Sequence, residues 1–401
     1  MEKLKLGLFG ARRGGSYLDI FAKDEENIEI VAVCDKDYEE LGAFKKHPDY
    51  KYFKDFDEFL AFGKENGMTA VFLANFFHQH TPYAIRCMEA GMDVISECTA
   101  AATLKECVEL VECVERTGKK YMLAENYPFS APNLEMNRIV RSGQLGSVLY
   151  AEGEYNHSGP RPDMMTLGSL ETNHWRAYMP RTYYCTHAFG PLMYMTDSVP
   201  RYVSARSAHS DLLYANKDVR LNYDGTGIGF CEMSNGMIAR FTGCTAMASD
   251  YSRYRIVGDK CSVEIGGNIG DNKVRKMWLG HTKPEDEPAS TVYTVSQDDF
   301  GDMGKKAKGA GHSGGDGWVA QIMLQYFREG VAPFFDVYKA VAMSATAILA
   351  WKSCLNHGEN YKVPDFTNKE ERDAVRDDEL MPFPGPNGEA PTLPSALPVE
   401  E

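Results

Sequence analysis

Two groups of residues in this chain have the types and spacing that chemistry requires. In the first, an apolar run from Lys5 to Phe9 breaks at Gly10 into Ala11-Arg12-Arg13-Gly14-Gly15, and a second run, Ile28 to Cys34, ends on Asp35. Strand, glycine turn, helix, strand and acid is the order of a dinucleotide-binding βαβ unit. Glycine lets the backbone approach a pyrophosphate, and the following helix offers N–H groups and a positive dipole end to that anion. Asp35, about 20 residues beyond Gly15, is then placed to accept the hydroxyls of a ribose. Gly10 and Gly15 occupy the outer positions of the G-x-G-x-x-G pattern, Arg12 replaces the middle glycine, and Arg13 flanks it. A carboxylate repels a 2′-phosphate, so NAD is the expected cofactor; Arg12 and Lys36 are the features that would instead admit NADP.

The second group is Tyr184 and His187. An imidazole titrates in the range a proton acceptor needs when hydride leaves a hydroxyl-bearing carbon. With a helix beginning near Cys185, the tyrosine reaches the same ligand. Taken from the residues alone, His187 serves either as that base or as a cap on the helix running toward Met195. Trp175 offers a face to a sugar ring or to the core, and Arg176 offers paired donors. His312 and Asp316 lie in Gly301 to Gly317, a stretch with seven glycines that reads as a loop, either a solvated linker or one that closes over a sugar. Asp163, Glu171, His174 and His187 lack the spacing of a helical metal pair, so no metal site is expected.

The elements that must position these groups alternate between strand and helix patterns up to about residue 125, as in a parallel α/β sheet. Strands end at Gly10, Asp35, Asn75, Glu97 and Asn126, and in such a sheet the ligand lies across the carboxyl ends. Glu97 and Asn126 are expected to face the nicotinamide ribose and amide; His80 either packs near the nicotinamide or caps the helix starting at Pro82. After residue 148 strand-like runs dominate, with a hairpin signal at Ser234-Asn235-Gly236. The organisation read here is a nucleotide-binding domain over 1–126, an α/β domain with a large open, mostly antiparallel sheet over 127–366, and an extended proline-rich tail over 367–401.

Composition narrows the class. The chain has 401 residues, 43% hydrophobic and 25% charged, and a net charge of −14 with no basic cluster. Nucleic acid and anionic membranes are therefore poor partners. The first strand leaves no room for a signal peptide, no apolar run approaches a membrane span, and the ten cysteines form no C-x-x-C pair, which together suggest a reduced cytoplasmic protein.

Ala74-Asn75, His80 and Ala90 to Glu97 resemble the Gfo/Idh/MocA family, and the resemblance extends over residues 4 to about 366. It implies an N-terminal Rossmann domain, a C-terminal α/β domain whose open sheet makes oligomer contacts, and NAD. The family's usual Glu-Lys-Pro is Glu97-Cys98-Thr99 here, so the lysine that contacts the reacting hydroxyl is missing. Tyr121 to Asn126, Tyr183 to Pro191 and Gly311 to Asp316 resemble more closely a branch containing NAD-dependent α-N-acetylgalactosaminidases and glycoside 3-dehydrogenases. That branch carries Tyr-Pro-Thr-His-Gly-Leu-Gly-Pro where this chain has Tyr184 to Pro191; the Tyr and His are kept. The resemblance implies a catalytic Tyr184 and His187, substrate contacts from His312 and Asp316, and oxidation of a sugar C3 hydroxyl. A redox-neutral, NAD-dependent glycoside hydrolase is the alternative.

Overall fold

The computed structural model describes residues 2–156, 175, 178–209, 224–244, 251–267, 270–385 and 389–392. Arg176 lies outside the described residues, as do Asp163, Glu171 and His174. Contacts divide the chain into two units. The first comprises 1–126, 302–344 and 366–378; the second comprises 127–301, 345–365 and 379–401.

In the first unit, six parallel strands lie in the order β3-β2-β1-β4-β5-β6. They are β1 Leu4–Phe9, β2 Ile28–Cys34, β3 Tyr52–Phe53, β4 Ala70–Leu73, β5 Asp93–Ser96 and β6 Tyr121–Leu123. β1, β4, β5 and β6 are buried almost throughout, as a sheet covered on both faces must be. The order reverses at β1, where β2 leads one way and β4 the other, and that reversal is where such a sheet opens a ligand crevice. The helix Leu104–Thr117 shows why its sequence folds locally: Thr103 Oγ1 accepts the Glu106 N–H, Glu106 accepts the Ala102 N–H, and Gly118 stops the helix in a left-handed conformation.

The second unit holds a nine-stranded sheet, β14-β13-β12-β11-β7-β10-β9-β8-β15. Its strands are β7 Val148–Asn156, β8 Pro200–His209, β9 Asp224–Met233, β10 Ile238–Cys244, β11 Tyr251–Gly258, β12 Cys261–Gly266, β13 Lys273–Trp278, β14 Ser290–Thr294 and β15 Tyr361–Lys362. All pairs are antiparallel except β7 with β10, and Gly236 makes the tight β9–β10 turn with φ 86°. The inner face carries Ala151, Gly153, Tyr155, Cys231, Ala239 and Phe241 and packs under the helix Thr186–Thr196. The outer face carries Arg240, Glu152, Arg255, Glu264 and Arg275 in register across five strands. Arg255 bridges Glu152 at 3.2 Å and Glu264 at 2.7 Å, and Arg275 meets Glu264 at 3.1 Å.

Two expectations are corrected. Gly301 to Gly317 is not a loop: Gly301–Ala307 is a helix, entered through a capping box at Ser296 and Asp299, and a second helix begins at Gly315. Gly317 sits where a side-chain carbon would lie 2.7 Å from the Ala307 Cα, so the glycines here serve close packing rather than mobility. Nor is 367–378 an extended tail. It includes the short helix Lys369–Asp373 and is held to the Leu104–Thr117 helix by Arg372–Glu115 at 2.7 Å and a two-pronged Arg376–Glu112 pair at 2.6 and 2.8 Å. Among the described residues, no helix is long and apolar enough to cross a membrane.

Gly153 sets the approach of helix to sheet, because a side-chain carbon there would overlap the Ala188 carbonyl on the helix above β7. Gly153→Ala is therefore expected to lower stability by about 1–3 kcal/mol, the usual cost of overpacking. Denaturant unfolding checks this, and near-wild-type stability would contradict the packing described.

Candidate active site

In the first unit the candidate residues lie at the carboxyl ends of its strands. Gly10 adopts φ 94°, and a side chain there would overlap the Ala74 carbonyl, so only glycine lets the turn from β1 into its helix lie against the end of β4. The helix Ala11–Phe21 begins at the next residue, and its Ala11 N–H donates to Asp35 Oδ2 at 2.8 Å while the Asp37 N–H donates to Oδ1 at 2.9 Å. The carboxylate is thus fixed at the helix N-terminus, at the end of β2. The glycine that brings helix and strand together is Gly14, whose added carbon would sit 2.9 Å from Leu8; Gly15 instead faces Ala43. Arg12 is exposed.

Arg13 organises the next layer. Its guanidinium donates to Asp316 at 2.8 and 3.1 Å, pairs through Nε with Glu97 at 2.8 Å, and lies 4.8 Å from the Tyr17 ring centre. Asp316 is fully buried and also accepts from Asn126 Nδ2 at 2.7 Å and meets His312 Nδ1 at 3.0 Å. Burial opposes its charge, but the hydrogen bonds from His312 and Arg13 outweigh it and hold its carboxyl well below the usual carboxylate range. With both oxygens engaged by protein donors, Asp316 is a structural anchor in this state. His312 reaches it from a backbone of φ 53°, followed by Ser313 at φ 57°.

His80 does not cap its helix, which begins at His80 itself. Its Nδ1 lies 2.6 Å from the Thr99 carbonyl, so Nδ1 carries the proton and donates. Burial lowers its pKa, leaving Nε2 a buried acceptor with no hydrogen-bond partner. Asn75 Oδ1 and Asn126 Oδ1 are buried acceptors of the same kind. Three orphan acceptors at the carboxyl ends of the strands fit a ligand rich in hydroxyl and amide donors, and the turn at Gly10 with Asp35 fits its pyrophosphate and ribose. Cys98, at the family's lysine position, is buried and donates from Sγ to Glu125 at 3.1 Å.

The second unit by itself holds a histidine walled by aromatic rings. His187 lies in the first turn of Thr186–Thr196, 6% exposed, with Nε2 at 3.3 Å from the Tyr184 hydroxyl. Tyr127 stacks on its ring at 4.3 Å and Tyr155 meets it edge-on at 4.9 Å. Trp175 is buried, 6.5 Å from the Tyr184 ring centre. Pro191 stands four residues after His187 inside the helix and lacks the N–H that would bond the His187 carbonyl. The Tyr254 hydroxyl, from the inner face of β11, donates to that carbonyl at 2.6 Å instead. The sequence reading did not single out Tyr127, Tyr155 or Tyr254. The alternation along β7 and β11, which puts Tyr155 and Tyr254 inward, was the available signal.

Asp316→Asn tests the buried network. A carboxylate with a depressed pKa stabilises the fold above its unfolded value, near pH 4, and that contribution is lost as pH falls below it. The variant is expected to lose about 3–5 kcal/mol at about pH 7, with the gap to wild type narrowing toward about pH 3. Denaturant titrations at both pH values measure it; a gap that stays constant would contradict the assignment.

A family model described as an oxidoreductase family with an NAD-binding Rossmann fold matches residues 4–125, and its GFO/IDH/MocA C-terminal counterpart matches residues 133–264. A third, the glycosyl hydrolase 109 C-terminal domain, matches residues 296–372. Among curated relatives, a glycosyl hydrolase family 109 protein of Shewanella sp. strain ANA-3 is 26% identical over 410 residues, covering 92% of this chain and 86% of its own. An alpha-N-acetylgalactosaminidase of Shewanella oneidensis is 26% identical over 407 residues, with coverage of 92% and 86%. Among solved structures, a levoglucosan dehydrogenase in complex with NADH and levoglucosan shares the fold at TM-score 0.75 and 16% identity, covering 91% of this chain and 100% of its own. Two models of one family thus account for more than half of the sequence, and the chain belongs to the Gfo/Idh/MocA family of NAD-binding oxidoreductases.

Proposed function

We propose that the protein oxidises a ring hydroxyl of a glycoside, C3 preferred, with NAD as cofactor and His187 as the base. The observation that carries this reading is the Tyr184–His187 pair at 3.3 Å, set in an aromatic pocket on the inner face of an open sheet. NAD supplies the hydride acceptor. His187 takes the hydroxyl proton as the C–H bond breaks, and Tyr184 orients the sugar oxygen through its own hydroxyl. Tyr127 and Tyr155 restrict water and hold the imidazole plane, while Trp175 and Arg176 are proposed to bind sugar. In the first unit, Gly10, Arg12, Gly15 and Asp35 hold the nucleotide. Asn75, His80 and Asn126 accept from its nicotinamide end. Asp316, held by Arg13 and His312, keeps Asn126 in place, and this role stands beside the sugar contact proposed for His312 and Asp316.

A second reading is a redox-neutral glycoside hydrolase that oxidises C3, eliminates the aglycone through the acidified C2 proton, adds water and reduces the ketone again. The match of residues 296–372 to the glycosyl hydrolase 109 domain favours it. Incubation with NAD and a panel of glycosides, followed by mass spectrometry, separates the two: loss of two hydrogens with NADH formation marks the dehydrogenase, and aglycone release without net NADH marks the hydrolase. Neither product from any glycoside would overturn both. His187→Ala is expected to lower turnover by ~10²–10⁴-fold, as for other positioned acid–base groups, with NAD affinity unchanged.

We further propose a cytoplasmic homo-oligomer. Among the described residues, nine buried cysteines form no disulfide, which suits a reducing compartment. The outer sheet face exposes Tyr202, Phe230 and Ile238, the latter two at 49% and 50%, beside its row of paired charges. Phe230→Glu is expected to shift the protein to monomer in light scattering; an unchanged mass would place the contact elsewhere.

A further inference from the structure

The turn that carries Tyr184 is short. It opens with the Tyr183 N–H donating to the Pro180 carbonyl at 3.1 Å, and the helix bearing His187 starts two residues after Tyr184. Beneath it the sheet is cut back to glycine: a side-chain carbon at Gly227 would lie 2.7 Å from Thr182, and one at Gly243 would lie 2.8 Å from the Arg181 carbonyl. The turn therefore lies directly on β9 and β10. Its neighbour Tyr183 is fully buried, and Phe383, also fully buried, meets it edge-to-face at 5.1 Å and 86°.

Phe383 belongs to the proline-rich end of the chain, which the sequence alone presents as a loose tail. Pro382 and Pro384 are buried with it. The segment is closed on itself, with the Met381 N–H donating to Thr392 Oγ1 at 2.9 Å and the Gly385 N–H donating to the Glu389 carbonyl at 2.9 Å. A fully buried aromatic ring in a self-bonded loop is a packing element, because burying a side chain of this size is among the larger favourable contributions one residue can make.

We propose that the C-terminal residues 379–385 are a positioning element of the active site, with Phe383 wedged against Tyr183 to hold the turn that presents the Tyr184 hydroxyl to His187. The proposal rests on the reading of Tyr184 and His187 as a working pair. Prolines on either side restrict the backbone around Phe383, so the wedge enters pre-formed and little chain entropy is lost when it docks. The ring meets Tyr183 and acts through the turn that Tyr183 belongs to.

The test uses full-length protein carrying ¹³C-labelled histidine. The His187 ring signal is identified by its disappearance in His187→Ala. Tyr184→Phe is expected to move that signal, and Phe383→Ala to move it in the same direction. Adding Phe383→Ala to Tyr184→Phe is expected to produce less movement than Phe383→Ala alone, since part of the wedge's effect passes through the Tyr184 hydroxyl. Phe383→Leu, which keeps apolar volume, is expected to move the signal less. The His80 and His312 signals and NAD affinity stay at their wild-type values, which separates a local shift from unfolding. A His187 signal that moves in Tyr184→Phe but stays fixed in both Phe383 variants would overturn the proposal and leave the pair standing, as would displacements that simply add in the double variant. A signal unmoved by Tyr184→Phe would remove the pair itself, and the proposal with it.

Discussion

The His187 carbonyl has lost its helical partner, and much of the second unit is arranged around that loss. Pro191 cannot donate to it, so Tyr254 does, at 2.6 Å. A proline inside a helix costs stability through the missing hydrogen bond and the ring's clash with the preceding turn. Here the freed acceptor is satisfied from the sheet below, which fixes the first turn of the helix to β11. Gly153 on β7 lets the same turn lie flat against the sheet, and Tyr127 and Tyr155 then close on the imidazole. The His187 imidazole is thus positioned by packing from strands far apart in sequence rather than by its own loop.

The first unit solves a different problem, that of keeping a fixed charge beside a nucleotide site. Asp316 brings a full negative charge into a buried setting, which is favourable only because Arg13, Asn126 and His312 all direct donors at it. Arg13 in turn spans from Asp316 to Glu97, so the first turn of the Ala11–Phe21 helix and the residue that follows β5 share one network with the Gly315–Leu324 helix. Amide and imidazole acceptors at Asn75, His80 and Asn126 remain buried without partners around it. Orphan acceptors carry a desolvation cost that a ligand with matching donors would relieve, which accords with a cofactor that binds tightly.

What the sequence revealed follows from how local each signal is. The turn at Gly10, the strand endings at Asp35, Asn75 and Glu97, and the β9–β10 hairpin all depend on neighbours in the chain, and each lies where the residues indicated. Tyr184 and His187 were legible as a pair because His187 lies three positions after Tyr184, where a helix starts. Long-range contacts were not legible. Nothing near Phe383 in sequence indicates Tyr183, and nothing near Asp316 indicates Arg13. The glycines of 301–317 misled in the opposite direction, since glycine reads as looseness but here permits one helix to touch another.

The central claim is that a carbon-bound hydrogen leaves the sugar while His187 takes the hydroxyl proton. Single-turnover kinetics with a methyl glucoside carrying deuterium at C3, set beside the unlabelled glucoside with wild-type protein and His187→Ala, test it most directly. The account predicts a slower first turnover for the deuterated glucoside in the wild type, with a residual, far slower reaction in His187→Ala that keeps the same sensitivity to deuterium. Equal rates for the two glucosides, with deuterium retained at C3 of the product, would contradict it.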